Sequence, residues 1–353
     1  MNASFTGILV TIILLGLLIV IHEGGHFLAA KSLRIPVRQF AIGFGPKVFG
    51  VRWGETEVRL NWIPLGGYCA FVDDEEEGQQ ADVDPSRLLR SRPVIQRMWV
   101  VSAGVIFNFV SAWLILWFSM MALGVPTGHQ LLYAQKVLPG TPAAAAGLKS
   151  GDEVIAVQNQ TFKDFAGFKD LMDKYKGKPI VVTLDRAGKS VAMPITSKAD
   201  GTLGFMPMIR EQKQPAGNPV QAAGAAAVRQ GTITSQLWHA LSGFVTQPRT
   251  MIKETGGPIS IVAFGDQIFQ VDPFKLIDFA VLLSIELAII NILPLPALDG
   301  GHLAMLIIES FRGKPLPRRV EEGILMAGFV LIMGLGALLI LKDLLTVPGM
   351  YHH

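Results

Sequence analysis

The chain has 353 residues, of which half are hydrophobic and only 17% are charged, and its mean hydropathy is +0.41. That balance excludes an ordinary soluble protein and points to several membrane spans, with room for one modest soluble domain. The net charge of +3, dispersed along the chain, gives no basis for nucleic-acid binding, and the single Cys69 excludes an internal disulfide framework.

Residues 1–21 carry no charge, and Phe5 to Ile21 is almost wholly apolar. A cleaved signal peptide would place positive charge before the apolar run, whereas the first basic residue is Lys31, so a retained transmembrane helix over about residues 5–30 is expected. Its second half carries His22-Glu23-Gly24-Gly25-His26, the pattern HExxH. Residues four apart on a helix sit one above the other, so His22 and His26 can present two imidazoles to one metal ion with Glu23 to its side. Such a pair suits Zn²⁺, whose hydrolytic sites take about three protein ligands and leave one position for water. The third ligand has to come from elsewhere in the chain.

Residues 31–96 form a polar loop with basic ends: Lys31, Arg34, Arg38 and Lys47 on one side, Arg87, Arg90, Arg92 and Arg97 on the other. The positive-inside rule makes this loop cytoplasmic and sets HExxH toward the cytoplasmic end of its helix. Val37–Ile42 and Glu57–Ile63 read as strands, broken at Gly43-Phe44-Gly45-Pro46 and Pro64-Leu65-Gly66-Gly67, and so predict a membrane-associated β-hairpin. The hairpin can offer an edge strand to an extended peptide, or it can be purely structural. The acidic run from Asp73 to Glu77 reads as a solvated loop.

Met98 to Gly128 contains no charge and predicts a second span over about 98–124, which together with the loop completes an N-terminal membrane half, residues 1–125. Asn108 is the polar exception in that span, open to an interhelical hydrogen bond or to a direct role in chemistry. After Pro126 the composition becomes that of a soluble α+β domain, residues 126–208. Leu131–Val137, Glu153–Val157, Ile180–Arg186 and Val191–Ile195 read as strands, and Phe165, Phe168, Leu171, Met172 and Tyr175 as a helix stripe. Between the first two strands, Leu138-Pro139-Gly140-Thr141-Pro142 through Ala146-Gly147-Leu148-Lys149-Ser150-Gly151-Asp152 resembles the PDZ family. By that resemblance the domain binds a peptide or protein end in its groove, or serves as a size filter.

Residues 209–256 are expected to hold a Gln-, Ala- and Pro-rich linker, Glu211 to Gly231, and an amphipathic helix near 235–254 with Leu237, Leu241, Phe244 and Val245 on one side. In the C-terminal half, residues 257–353, a third span over about 274–308 contains Glu286 and runs into Asn291-Ile292-Leu293-Pro294-Leu295-Pro296-Ala297-Leu298-Asp299-Gly300-Gly301-His302. Irregular backbone at such depth is tolerated only against protein or a water-filled cavity, and a carboxylate there needs a partner or a cation. Asp299 is therefore the candidate third ligand. Gly323 to Leu341 carries no charge and predicts a fourth span over about 323–342, preceded by the basic Arg312, Lys314, Arg318 and Arg319, which agree with the first loop on orientation.

HExxH in one span with Asn-x-x-Pro-x-Pro-x-Leu-Asp-Gly in a later one resembles the site-2 proteases, and the single PDZ-like segment, Gly43-Phe44-Gly45-Pro46 and Gly257-Pro258-Ile259-Ser260 resemble their bacterial RseP-type branch. The resemblance implies an α-helical polytopic membrane protein of about four spans with an inserted PDZ domain. It implies an intramembrane zinc metalloprotease in which His22, His26 and Asp299 hold Zn²⁺, Glu23 is the general acid/base, and Asn291 positions the substrate or stabilises the oxyanion. His302 has no ligand role by this pattern. The implied substrates are transmembrane proteins in the lipid bilayer, such as anti-sigma factors or signal-peptide remnants, some after a first cut by another protease. The implied location is the bacterial plasma membrane, with the PDZ domain and both termini extracytoplasmic. The chain departs from the branch in having room for one PDZ domain, Glu286 where Asn is common, and Gly104-Val105 where Gly-Pro is usual. An inactive PDZ-bearing adaptor and a zinc transporter are the alternatives.

Overall fold

The computed structural model describes residues 3–74, 83–247 and 255–350. They divide into two compact units, one built from residues up to 118 and from 224 onward, the other from residues 119–223.

In the first unit, helix α1 (Phe5–Ser32) starts at Ser4, whose hydroxyl accepts the Gly7 N–H, and continues without a break through HExxH. At 1.5 Å per residue its 28 residues extend about 42 Å, more than the ~30 Å of a bilayer's hydrocarbon core. Helix α2 (Val94–Leu123) and a C-terminal helix, Arg318–Met350, are comparably long. Among the described residues, three helices are long and apolar enough to cross a membrane: Phe5–Ser32, Val94–Leu123 and Arg318–Thr346. The last exposes Phe329, Val330, Leu331, Leu335 and Leu338, a surface that water opposes and lipid accepts. The expected third span does not form one helix. Pro294 and Pro296 divide it into Lys275–Ile292 and Asp299–Arg312, and the first piece carries Lys275, Asp278 and Glu286 within its 18 residues.

The loop after α1 forms strands β1 (Val37–Trp53) and β2 (Thr56–Phe71), which run through the turns expected at 43–46 and 64–67. Gly43, Gly45 and Gly66 take positive φ there, and the resulting register shifts bend the strands instead of ending them. Phe49–Trp53 pairs with Thr56–Leu60, while Gln39–Ile42 lies beside both Glu57–Leu60 and Gly67–Ala70, leaving Gly67–Phe71 at one edge. Phe44, Phe49, Trp53, Trp62 and Ile63 are exposed. The acidic run continues into residues 75–77, which lie outside the described residues.

The second unit is a six-stranded antiparallel sheet made of β3 (Val125–Val137), β4 (Glu153–Val157), β5 (Gln160–Thr161), β6 (Pro179–Arg186), β7 (Lys189–Thr196) and β8 (Phe205–Gln214). The order is β7-β6-β4-β3-β8, with β5 on β4. Short helix α3 (Pro142–Ala146) and α4 (Phe165–Lys174) accompany it. Leu132, Val154, Phe168, Met172, Val182, Leu184 and Met193 form its core.

The expected linker at 211–231 is strand and helix instead: β8 reaches Gln214, and α5 (Pro219–Thr246) begins at Asn218, whose side chain accepts the Gln221 N–H. The alanines that suggested a linker are good helix formers, and Ala222 and Ala226 are buried. The end of the expected amphipathic helix, residues 248–254, lies outside the described residues.

Back in the first unit, α6 (Pro258–Val271) is held at its first turn and near its middle. Asp266 accepts the Ser4 N–H at the start of α1, and buried Asp343 accepts from Gly257 N, Ser260 N and Ser260 Oγ at 2.9, 2.9 and 2.6 Å. Helices α7 (Lys275–Ile292), α8 (Asp299–Arg312) and α9 (Arg318–Met350) follow.

Candidate active site

HExxH occupies consecutive turns of α1, and both histidines are buried. Asp299 opens α8 after the irregular segment 293–298, in which Ala297 takes positive φ. A side chain on Gly300 would collide with the carbonyl oxygens of Leu293 and Ile292, and one on Gly301 with that of Leu295. Two successive glycines thus let the first turn of α8 sit on the end of α7, which fixes where Asp299 points.

His22 Nε2 and His26 Nε2 lie 3.1 and 3.3 Å from Asp299 Oδ2, and 3.3 Å from each other. The His26 ring is oriented by Nδ1, which donates to the Val100 carbonyl of α2 at 2.8 Å. That assignment leaves Nε2 of neutral His26 with a bare lone pair directed at the other two groups. Asp299 Oδ2 is buried and has no hydrogen-bond partner of acceptable geometry. Electron-pair donors converging in this way repel one another unless a cation or proton stands among them. Two imidazoles and one carboxylate form the donor set of hydrolytic zinc sites, so these residues fit such an ion.

Glu23 and His26 line a cavity of about 530 Å³, together with Tyr68, Cys69, Asp299 and His302. The Glu23 carboxylate accepts the backbone N–H of Cys69, on the edge run of β2, where a side chain on nearby Gly67 would strike the Ala41 carbonyl oxygen. Arg97 of α2 and Glu309 of α8 form a largely buried ion pair of 2.7 Å in the wall. Asn291, in the last turn of α7, holds its amide 3.5 Å from His22 Nε2. His302 turns back on its own helix, Nδ1 donating to the Leu298 carbonyl at 3.2 Å, and stands apart from the three-donor cluster. Glu286 faces a separate cavity of about 200 Å³ beside Leu237, Leu241 and Phe244 of α5.

The structure therefore brings His22, Glu23, His26, Asn291 and Asp299 together. Sequence reading missed the Val100 carbonyl and the Cys69 N–H, because backbone groups leave no residue-type signal.

The sequence model of peptidase family M50 matches residues 10–335. The chain belongs to that family. A "Putative zinc metalloprotease" of Nostoc sp. is 37% identical over 95% of this chain and 95% of its own. "Membrane metalloprotease ARASP, chloroplastic" of Arabidopsis thaliana is 34% identical over 98% of this chain and 80% of its own. A clostridial relative from Clostridium perfringens, bearing the same description as the Nostoc protein, is 32% identical over 93% of this chain. The likeness to site-2 proteases read in the motifs is thus shown. This M50 peptidase is a zinc metalloprotease of the membrane, and the family match includes residues of both compact units.

Proposed function

We propose that this M50 peptidase cuts peptide bonds within transmembrane segments, with His22, His26 and Asp299 as zinc ligands and Glu23 as general acid/base. The observation that carries this reading is the convergence of three donor atoms next to Glu23, in a cavity among apolar helices. Zinc, when bound there, supplies a Lewis acid for the scissile carbonyl and lowers the pKa of its water to about 7.

Glu23 takes the water proton and returns it to the leaving amine nitrogen, which needs a carboxylate held still, as the Cys69 N–H holds this one. The Asn291 amide, next to His22 Nε2, is a donor for the substrate carbonyl as it becomes an oxyanion. A transmembrane helix hides its peptide groups in its own hydrogen bonds and must open before attack. The edge run Gly67–Phe71 offers backbone groups to such an opened strand, alongside Glu23.

The helix α7 is read as a fourth span, its charged residues facing protein, which puts both termini and a PDZ domain formed by residues 119–223 on the extracytoplasmic side of a bacterial plasma membrane. The Arg- and Lys-rich flanks of residues 31–96 and 312–319 support that orientation. Substrates of this class are single-span proteins such as anti-sigma factors or signal-peptide remnants, after a first cut elsewhere, and the PDZ groove is read as receiving a peptide end. An adaptor would not need the three-donor cluster, and a transporter would not need Glu23. The deciding experiment compares wild type with Glu23→Gln on a single-span model substrate. The variant is expected to keep zinc and lose cleavage; cleavage retained by it overturns the assignment.

A further inference from the structure

We infer that α2 sets the orientation and tautomer of His22, with Asn108 as its positioning residue and Gly104, one turn earlier, as the space that makes the contact possible. This rests on the reading of His22 as a metal ligand. Asn108 is completely buried, and its side-chain amide lies 3.3 Å from His22 Nδ1, the ring nitrogen turned away from Asp299.

A bland role for Asn108, joining two helices, is already filled by its backbone. The Asn108 carbonyl accepts Ser284 Oγ of α7 at 2.9 Å and Ser111 Oγ of its own helix at 2.9 Å. The side chain is thereby left to His22.

Gly104 shows that the approach is built in. A Cβ at that position would strike His26 Nε2 and stand 2.7 and 2.9 Å from His22 Cε1 and Nδ1. Both imidazoles, set nearly perpendicular to each other at 82°, therefore reach bare α2 backbone at this one position. Val100, Gly104 and Asn108 are spaced by one turn each, so a single stripe of α2 holds His26 through a carbonyl and His22 through an amide.

The chemistry selects which amide atom faces the ring. A histidine that binds metal through Nε2 carries its proton on Nδ1 and needs an acceptor there. Asn108 Oδ1 is buried without a hydrogen-bond partner, and a half-turn of the amide exchanges it with Nδ2. With Oδ1 on Nδ1–H, the orphaned acceptor is satisfied and the His22 Nε2 lone pair faces Asp299 and His26.

The test is zinc affinity of the full chain in detergent, by competition with a chelator, with melting temperature measured in parallel. Asn108→Leu is expected to weaken zinc about 10- to 100-fold, and Asn108→Asp, which keeps an acceptor of the same reach, to restore it. Asn108→Ala removes the amide without adding bulk and is read in the same way should leucine not fold. Ser284→Ala, which breaks only the helix link, is expected to leave zinc affinity unchanged. Wild-type affinity in Asn108→Leu or Asn108→Ala overturns the inference, as does equal weakening in Asn108→Asp. If wild type and His26→Ala bind zinc alike, the metal-site reading itself fails, a result distinct from either.

Discussion

Gly25 of α1 lies so close to Ala103 of α2 that a methyl group in its place would stand 2.5 Å from the Ala103 carbonyl oxygen. This close contact is what lets His26, one residue further on, reach the Val100 carbonyl. Gly25→Leu is expected to force the helices apart, costing about 1–3 kcal/mol of stability from overpacking, together with most of the bound zinc. Thermal unfolding and metal content of the purified variant check both; a variant that keeps its zinc would show that α1 and α2 can separate without disturbing the ligands.

Metal removal should act on the fold as well as on catalysis. A ligand that binds only the native state stabilises it by mass action, so stripping zinc with a strong chelator is expected to abolish cleavage and lower the melting temperature, and zinc alone should reverse both. His26→Ala should melt at the same temperature with and without chelator.

Asp343 receives three hydrogen bonds from the first turn of α6 while fully buried, so Asp343→Ala leaves the Gly257 and Ser260 donors without their acceptor. The expected loss is about 1–3 kcal/mol for each donor left buried, and Asp343→Asn, which keeps one oxygen, should lose less. Hydrogen exchange of α6 amides measures the difference. Equal protection in all three chains would mean that lipid or water takes over the cap.

In the second unit, the Arg186 guanidinium beside Asp152 holds its carboxyl below the ordinary carboxylate range, at contacts of 2.8 and 2.6 Å. A folded pKa below the unfolded value of about 4 gives stability that is fully present above that value and lost as pH falls through the depressed one. Hydrogen exchange of residues 119–223 in the full chain, corrected for intrinsic pH dependence, should therefore show protection falling in acid. Arg186→Met is expected to be less protected at pH 7 and to respond less to acid. An unchanged acid response in that variant would assign the sensitivity to other carboxylates.

The exposed aromatic residues of the β1–β2 hairpin suit a bilayer more than water. A chain that keeps only Trp62, 73% exposed, is expected to have its fluorescence quenched by brominated lipid in vesicles. Quenching by aqueous iodide instead would place the hairpin in solvent.

Much of this site could be read in the residues themselves. Two histidines four apart in an uncharged run and an aspartate after paired prolines have few uses inside apolar sequence, and those constraints pointed to one another across the chain. The strands of the second unit were legible because their apolar residues alternate. The β1–β2 hairpin was misread at Gly43–Pro46 because glycine and proline mark a bulge and a turn alike, and only pairing across the strands decides between them. Residues 219–231 were misread because alanine carries no periodicity; packing at Ala222 and Ala226 settles their helix. Asn108 stood out as polar in an apolar helix, but its partner depends on how α1 and α2 cross, which no local pattern encodes.

Gly300 and Gly301 seat Asp299 against the end of α7, and Asp299 follows His26 by 273 residues in the chain. A ribosome making this protein releases the two histidines early and the aspartate near the end. During that interval the growing polypeptide has Glu23 and two imidazoles, but lacks the carboxylate that completes the three-donor cluster. On the proposed roles, hydrolytic power is expected only once α8 docks, so the order of synthesis would itself keep a half-built protease from cutting its neighbours.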